Sequence, residues 1–475
     1  MALMVEPRML ISREPLMTSS VWELAALMQH REWEGGTEGE REREREREGN
    51  ERLRATDRKE GCARLAKQVP LECARSTKHS VHRGMSSVTI PPPACMLRPL
   101  EAPFRYLFGP GPSNVPPRIL AAGGRPIIGH MHSEMFEIMN DIKKGIQYAF
   151  QTSNNMTLAM SGSGHTAMEC AVFNIVEPGE SVLVAVNGIW GERVAEIAER
   201  MGAKVHTLAK TPGGYFTNAE IEQALAKHKP VLFFLAHGES SAGLVHPVDG
   251  IGEMCHKYNC LLLVDSVASL GAAPLLMDQQ NIDILYTGSQ KALNAPPGTA
   301  PISFSERACH KMFNRKTKPV SYLLDMTHLS NYWGNDGKPD RIYHHTGPVS
   351  GFFALRESLA ILAETGLEKS WRHHEEVAEY LWKGLQDLDL KLFIKDRDLR
   401  LPSVTTIAIP EGYNWKELLA YIMKHHQIEF TGGLGPSVGM VLRIGLMGYN
   451  CNKANAAKAL AALEDGLKQC RKAKA

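Results

Sequence analysis

The chain has 475 residues, which is too long for one ordinary core and suits a large domain with a smaller one. Hydrophobic residues make up 43% of it and charged residues 22%, so most of the chain can bury a sizeable core. The net charge of +2 gives no electrostatic case for nucleic acid or an anionic membrane surface, and no apolar run reaches the roughly 20 residues of a membrane-spanning helix.

The N-terminal extension, residues 1–84, differs from the rest in composition. It contains the alternating stretch RERERERE at 41–48, which has no apolar periodicity and therefore predicts disorder. The part from 52 to 83 is rich in Arg and Lys but also holds acids, which makes a poor, though not excluded, transit peptide. Because Met85 is a plausible second start, the extension is an alternative upstream translation, a targeting segment or a tail without function.

Beyond an N-terminal arm expected at 85–108, short apolar runs alternate with helix-like stretches. The runs lie at 157–160, 181–186, 231–235, 260–264 and 282–286, and each is followed by a polar turn. This alternation predicts an α/β fold, with a mostly parallel sheet flanked by helices, over a large domain at 109–349. Longer helices and two strand candidates, 404–409 and 441–444, predict a smaller α+β domain at 350–475.

The cysteines favour a reducing compartment. There are 9 of them, an odd number without the paired spacing of metal ligands. Cys255 and Cys260 are the closest pair, but Cys260 begins an apolar strand-like run. We therefore expect buried thiols there and no metal site.

The first motif with chemical meaning is SGSGHT at 161–166, which opens a helix-like stretch. Its glycines let a ligand approach the backbone, and the free N–H groups of a helix start favour an anion such as phosphate. The spacing differs from the dinucleotide pattern GxGxxG. A plain tight turn explains the same residues equally well.

Asp265 and Lys291 each follow an apolar run, and one strand–connection–strand step separates them. A lysine among small residues at such a place can form a Schiff base with an aldehyde cofactor, and pyridoxal phosphate (PLP) also needs a carboxylate at its pyridine nitrogen. Taken singly, Asp265 could be a helix N-cap and Lys291 a surface lysine. Arg443 leaves the run at 441–444 and suits a substrate carboxylate, although a structural ion pair is the default for a lone arginine.

Taken together and in this order, these segments resemble the class V aminotransferases of PLP fold type I. The stretches that carry the resemblance are LFGPGPSN at 107–114, HGESS at 237–241, VDSVAS at 264–269, SQKALNAPPG at 289–298, YHHT at 343–346 and GGLGPS at 432–437. They cover nearly the whole chain after about residue 100. Each motif is moderately specific, and the set is highly specific.

The resemblance implies a role for each matched residue. Lys291 matches the Schiff-base lysine, Asp265 the partner of the pyridine nitrogen and Arg443 the binder of the substrate carboxylate. The other implied cofactor contacts are Trp190 and Val267 on the two ring faces, Ser240 near the phenolic oxygen, Ser163, Gly164, His165 and Gln290 on the phosphate side, and Tyr343 and Thr346 from the neighbouring subunit of a homodimer. From the residues alone, Trp190 could be ordinary core packing, and His344 and His345 a solvated pair.

The implied activity is transfer of the amino group of L-alanine or L-serine to glyoxylate, with PLP as cofactor and Lys291 as the acid–base group. A desulfurase would usually need a nucleophilic cysteine on a mobile loop, which the cysteine positions do not favour. The alternatives are a related transaminase, such as one acting on hydroxykynurenine, and a non-catalytic PLP-binding protein. The C-terminal residues Ala473, Lys474 and Ala475 are a weak peroxisomal address, so we expect a peroxisomal location, with a mitochondrial or dual location as the alternative.

Overall fold

The computed structural model describes residues 90–470. The N-terminal extension and the C-terminal tripeptide lie outside the described residues, so their interpretation, and the cellular location with it, stays a prediction. Residues 90–99 belong to a separate unit whose described part contains the 3-10 helix Ala94–Leu97, and the main unit begins at Leu100.

The main unit contains helices and strands in alternation over most of its length. Its α-helices are Pro117–Gly123, Ser133–Phe150, Gly164–Ile175, Ile189–Arg200, Asn218–His228, Ile251–Lys257, Glu306–Phe313, Met326–Tyr332, Val349–Thr365, Leu367–Asp387, Trp415–His426 and Lys453–Gln469. Its strands are β1 Tyr106–Leu107, β2 Met156–Ser161, β3 Ser181–Val186, β4 Lys204–Ala209, β5 Leu232–Ala236, β6 Gly238–Glu239, β7 Leu244–Val245, β8 Leu261–Asp265, β9 Ile284–Tyr286, β10 Thr299–Phe304, β11 Val404–Ala408, β12 Ile428–Glu429, β13 Thr431–Gly432 and β14 Val441–Gly445.

The large sheet confirms the predicted α/β class. Its strand order is β2–β10–β9–β8–β5–β3–β4. Strand β10 is antiparallel to both of its neighbours, and every other pairing in the sheet is parallel. Every residue of β5 and β8 is buried, which explains their continuous apolar sequences. Asp265 pairs with Ala236 on one side and Tyr286 on the other, so these strands end at one common edge.

Two strands of this sheet have no strong sequence signal. Strand β4 lies at the edge, where its residues are partly or fully exposed, and it therefore lacks an apolar run. Strand β10 contains Pro301 although it lies between β2 and β9. Proline has no amide hydrogen to donate and is rare in interior strands, so the sequence argues against a strand at this place.

A second apolar core lies in the C-terminal part of the main unit. It surrounds the antiparallel sheet β11–β14–β13 and includes the helices Leu367–Asp387, Trp415–His426 and Lys453–Gln469. The first and larger core surrounds the seven-stranded sheet. The helix Val349–Thr365 buries apolar side chains in this first core and packs on the helix Ser133–Phe150. The boundary expected between residues 349 and 350 therefore stays a prediction.

Two further features bear on the sequence analysis. Cys255 and Cys260 are both fully buried, and neither forms a disulfide. Among residues 90–470, no helix has the length and apolar character needed to cross a membrane.

Candidate active site

Polar turns that follow the strands of the large sheet meet at the edge where the parallel strands end. They come after β2, β3, β5, β8 and β9, and they carry the SGSGHT, NGIWG, HGESS and VDSVAS motifs and the turn that ends in Lys291. Open α/β sheets bind ligands at the carboxyl ends of their parallel strands. The topology therefore brings together residues that are far apart in the sequence.

Lys291 is partly buried at this edge, and its Nζ donates a hydrogen bond to the carbonyl of Pro110. Gly111 has a φ of +110°, and a Cβ there would overlap the Lys291 side chain, so the turn needs glycine for both reasons. Ser113 N donates to the carbonyl of Gln290 at 2.9 Å and fixes the two segments together. Burial, and then the positive charge of Arg443, lower the pKa of Lys291 to about 8. A larger fraction of this amine is therefore neutral near neutral pH than in an ordinary lysine.

Asp265 ends strand β8 and is held by two hydrogen bonds. The backbone N–H of Val267 donates to Oδ1 at 2.8 Å, and the hydroxyl of Tyr286 donates to Oδ2 at 2.8 Å. Burial raises the pKa of the Asp265 carboxyl to about 6, while these hydrogen bonds and the charge of Lys291 act in the opposite direction. A nearby cation stabilises the ionised form of such a buried carboxyl group.

Tyr286 has a supporting role that the sequence analysis missed. The Tyr286→Phe variant leaves Asp265 Oδ2 without its hydroxyl donor, and we expect it to lower the free energy of unfolding by about 1–3 kcal/mol. Urea denaturation at pH 7.5 measures this change. Tyr380→Phe is the matched control, because Tyr380 is 42% exposed and should change the stability by less than about 0.5 kcal/mol. Equal effects of the two substitutions would show that the Tyr286 hydroxyl does not support Asp265.

The turn at 161–166 forms an open helix start. Ser163 is the N-cap residue of the helix Gly164–Ile175, and no side chain caps this end, so the first backbone N–H groups are available to a ligand. A Cβ on Gly164 would approach the Val267 side chain to 3.0 Å. His165 Nε2 and Gln290 Oε1 are buried and have no hydrogen-bond partner among residues 90–470. Because buried polar atoms are normally satisfied, their state indicates a polar ligand group at this turn.

Trp190 contacts two of the predicted cofactor residues. It lies in the first turn of the helix Ile189–Arg200, and its Nε1 donates to Ser240 Oγ at 3.0 Å. The His165 ring meets the indole edge to face, with 5.5 Å between the centroids. Trp190 and Val267 both line the cavity described below. An aromatic and an aliphatic side chain in one cavity suit a flat ligand ring.

Glu239 is a fully buried carboxyl group in the HGESS motif to which the sequence analysis gave no role. Its Oε1 accepts hydrogen bonds from Ser241 N at 2.9 Å and Ser241 Oγ at 2.6 Å, and its Oε2 accepts one from Trp190 N at 3.3 Å. Burial, together with the charge of Asp265, raises the pKa of Glu239 to about 7. The residue joins the turns after β3 and β5 and thereby fixes the backbone of Trp190.

Arg443 lies on β14 and is 6% exposed. Its Nε donates to the carbonyl of Gly432 at 2.7 Å and its NH1 to the carbonyl of Ser240 at 3.4 Å. No carboxylate within residues 90–470 forms an ion pair with it, although Glu239 attracts it at longer range. Burial lowers the pKa of Arg443 to about 10. A buried guanidinium without an acidic partner is well suited to bind an anion from outside the chain.

The residues at the sheet edge enclose one cavity. Its lining comprises Ser163, Gly164, His165, Met168, Trp190, Gly238, Ser240, Asp265, Val267, Ala268, Gln290 and Lys291. It therefore holds an amine, a buried carboxyl group, an aromatic and an aliphatic side chain and an open helix start. This set fits an aldehyde cofactor that carries an aromatic ring and a phosphate.

Three residues from the sequence analysis do not line this cavity. Arg443 lies beside it, behind Ser240. Tyr343 and Thr346 lie in the loop between the helices Met326–Tyr332 and Val349–Thr365 and are exposed, Tyr343 by 56%. The structure does not bring these two side chains to the Lys291 of their own chain.

The similarity to known proteins extends over the part of the chain that forms both cores. Residues 105–454 match the family described as Aminotransferase class-V. Alanine–glyoxylate aminotransferases are 61% identical in Felis catus over 381 residues (80% of this chain, 92% of the relative) and 60% identical in Oryctolagus cuniculus over 381 residues (80% and 97%). The crystal structure of an alanine–glyoxylate aminotransferase from Nostoc sp. has a TM-score of 0.76 at 41% identity and covers 78% of this chain and 97% of its own.

Proposed function

The chain belongs to the class V aminotransferases, and we propose that it transfers the amino group of L-alanine, or of L-serine, to glyoxylate, giving glycine and pyruvate or hydroxypyruvate. The observation that carries the proposal is that Lys291 and Asp265 line one cavity, with Arg443 buried beside it. Arg443 forms no ion pair with a carboxylate of residues 90–470. The names of the relatives add the substrate pair, alanine and glyoxylate.

We infer that PLP is the cofactor of this site. His165 Nε2, Gln290 Oε1 and the open helix start fit its phosphate, and the apolar side chains of Trp190 and Val267 suit its ring. When bound, PLP supplies an aldehyde that reacts with amines and a protonated ring that accepts electrons. Ser240, which accepts the hydrogen bond from Trp190, would contact the phenolic oxygen, as the resemblance implies.

The residues of the chain perform the acid–base work and the binding. Asp265 would hold the proton of the pyridine nitrogen through its carboxylate and stabilise it while negative charge develops on the substrate. Lys291 would bind the aldehyde through Nζ and, as the free amine, would take the proton from the substrate Cα and return it as the general acid. The pKa of about 8 suits this exchange, because both protonation states of Nζ are populated near neutral pH.

Arg443 accounts for the substrate class. Its guanidinium can pair with one carboxylate, and alanine, serine and glyoxylate each carry a single one. The cavity lining that the structure describes contains no arginine of its own for the distal carboxylate of a dicarboxylic acid.

The absorption spectrum of the purified protein with bound PLP tests the proposal. We expect the band of the bound cofactor to disappear on addition of L-alanine and to return on addition of glyoxylate, which separates the two half-reactions. A band that responds only to hydroxykynurenine would keep the chemistry and replace the substrate. A band that responds to no amino acid would favour a non-catalytic PLP-binding protein.

The lowered pKa of Lys291 leads to a prediction about cofactor capture. Only the neutral amine attacks an aldehyde, so the rate at which the apoprotein captures PLP should rise with pH and level off above about 8. Stopped-flow absorbance between pH 6 and 10 measures this profile. Arg443→Gln removes the nearby positive charge and should move the midpoint to higher pH. A wild-type rate that still rises at pH 10 would mean an ordinary lysine.

We also propose a homodimer in which Tyr343 and Thr346 complete the phosphate site of the partner. Both residues are exposed, and they do not reach the cavity of their own chain. Large apolar side chains near this loop are exposed as well, namely Ile342, Tyr322, Leu323 and Val320. Such a group indicates a protein–protein contact surface.

A further inference from the structure

Three hydrogen bonds connect the loop that carries Tyr343 and Thr346 to the end of strand β2. Ser161 Oγ lies 2.6 Å from His345 Nε2, His345 Nδ1 lies 2.8 Å from His344 Nδ1, and His344 Nε2 lies 3.1 Å from the carbonyl oxygen of Tyr322. None of the four residues lines the cavity. The sequence analysis treated the two histidines as a solvated pair, whereas His344 is 8% exposed and His345 is partly buried.

With one proton on each ring, the carbonyl group of Tyr322 sets the direction of every hydrogen bond in this network. It can only accept, so His344 Nε2 must donate to it, and His344 Nδ1 must then accept. His345 therefore donates from Nδ1 and accepts at Nε2, which leaves the Ser161 hydroxyl as the donor. The tautomers follow from the network, and each ring atom has a partner.

The surroundings of His345 favour a neutral ring in this arrangement. Burial lowers the pKa of His345 to about 4. Tyr332 packs against the His345 ring at 5.4 Å between centroids, and Tyr322 stacks on His344 at 5.1 Å. No acidic side chain forms an ion pair with either ring within the described residues.

Ser161 and His345, which this hydrogen-bond network connects, belong to two different phosphate-binding segments. Ser161 immediately precedes Gly162 and Ser163 of the turn that we assign to the phosphate of its own subunit. His345 lies between Tyr343 and Thr346, which we assign to the phosphate of the partner. One hydrogen bond, from Ser161 to His345, therefore joins the two phosphate-binding segments that a single chain contributes to two different sites.

We propose that Ser161, His345 and His344 are positioning residues that couple the two cofactor sites of the homodimer. A cofactor that orders the turn at 161–166 orders the 343–346 loop through His345, and this loop then presents Tyr343 and Thr346 to the second site in binding geometry. Binding of the first cofactor thereby lowers the conformational-entropy penalty for binding the second, which gives positive cooperativity. The inference rests on the proposed function, because it requires PLP and the shared site.

Titration of the full-length apo-dimer with PLP, followed by absorbance, tests the coupling. For the wild-type dimer we expect the second binding step to be about fivefold or more tighter than independent sites allow. Ser161→Ala removes only the hydroxyl donor and should reduce this factor to about one, while sedimentation shows that the variant remains a dimer. Cooperativity that survives in Ser161→Ala would overturn the proposal.

Two substitutions of His345 form a matched pair. The amide oxygen of glutamine reaches the position of Nε2 and can accept from Ser161, whereas that of asparagine reaches only the position of Nδ1. His345→Gln should therefore retain the cooperativity that His345→Asn loses. The double variant with Ser161→Ala and His345→Asn should be no worse than either single variant, because both remove the same bond. Additive losses would contradict the coupling.

The titration also separates this inference from the proposed function. A wild-type dimer that binds PLP at two independent sites would disprove the coupling and leave the transaminase proposal unchanged. A protein that binds no PLP would remove both.

Discussion

Replacement of Lys291 by alanine will lower kcat for the alanine–glyoxylate reaction by about 10⁴-fold or more. In the proposed mechanism the substitution removes the amine that reacts with the aldehyde and also the base that moves the Cα proton, and acid–base catalysis alone contributes about 10²–10⁴-fold. The hydrogen bond to the Pro110 carbonyl is lost as well, but it lies at the sheet edge and the core does not depend on it. Pyruvate formation under saturating alanine and glyoxylate measures the change.

Two control variants show whether the amine itself is responsible. Lys291→Arg keeps the positive charge and much of the length, but a guanidinium does not lose its proton in proteins, so this variant should be as inactive as Lys291→Ala. Lys338→Ala removes an exposed lysine and should leave kcat within about twofold of wild type. Full turnover by Lys291→Ala would instead support the non-catalytic alternative.

Replacement of Asp265 by asparagine is expected to lower kcat by about 10²–10³-fold while PLP remains bound. The amide has nearly the same shape, and its oxygen can still accept from Val267 N, so the fold and the cavity should persist. The negative charge that stabilises the pyridine proton is absent, and preorganised charge of this kind accounts for about 10²–10³ in rate. Single-turnover absorbance with L-alanine measures the first half-reaction directly.

Asp265→Glu is the companion variant because it keeps the charge and displaces it by one methylene. It should retain more activity than Asp265→Asn if the charge matters, and less if only the shape of the side chain matters. A kcat for Asp265→Asn within tenfold of wild type would contradict a role at the pyridine nitrogen.

The sequence predicted the large sheet to the extent that its strands are apolar. The runs at 181–186 and 260–264 correspond closely to β3 and β8. These strands are buried on both faces, and a strand of this kind has a continuous apolar sequence that can be recognised without its neighbours. Strand β4 is exposed at the edge and β10 contains Pro301, so local composition argues against both. Their pairing depends on neighbouring strands, which a single-sequence pattern does not contain.

Some residues of the candidate site were also predicted from the sequence, and others were not. Lys291 and Asp265 were identified from strand ends and spacing, and the structure places both in one cavity. The residues that contact Asp265 and Lys291 were missed because they lie in other segments of the sequence. Tyr286 reaches Asp265 through the register of β8 and β9, and Gly111 lies against the Lys291 side chain although it is far from it in the sequence. A tyrosine at the end of a strand next to that of Asp265 was the available signal. Glu239 lay within a quoted motif, but its burial could not be read from spacing.

In the homodimer proposed above, the exposed loop that carries Tyr343 and Thr346 would allow two inactive chains to restore each other's activity. A chain with Lys291→Ala still has an intact loop, and a chain with Tyr343→Ala and Thr346→Ala still has its amine. If the two are unfolded, mixed in equal amounts and refolded, about half of the dimers will be hybrids, and each hybrid will contain one complete site. About a quarter of the wild-type activity should then return from two inactive preparations. In a cell that makes two defective versions of this chain, the outcome would therefore depend on which pair is combined and not only on how severe each defect is.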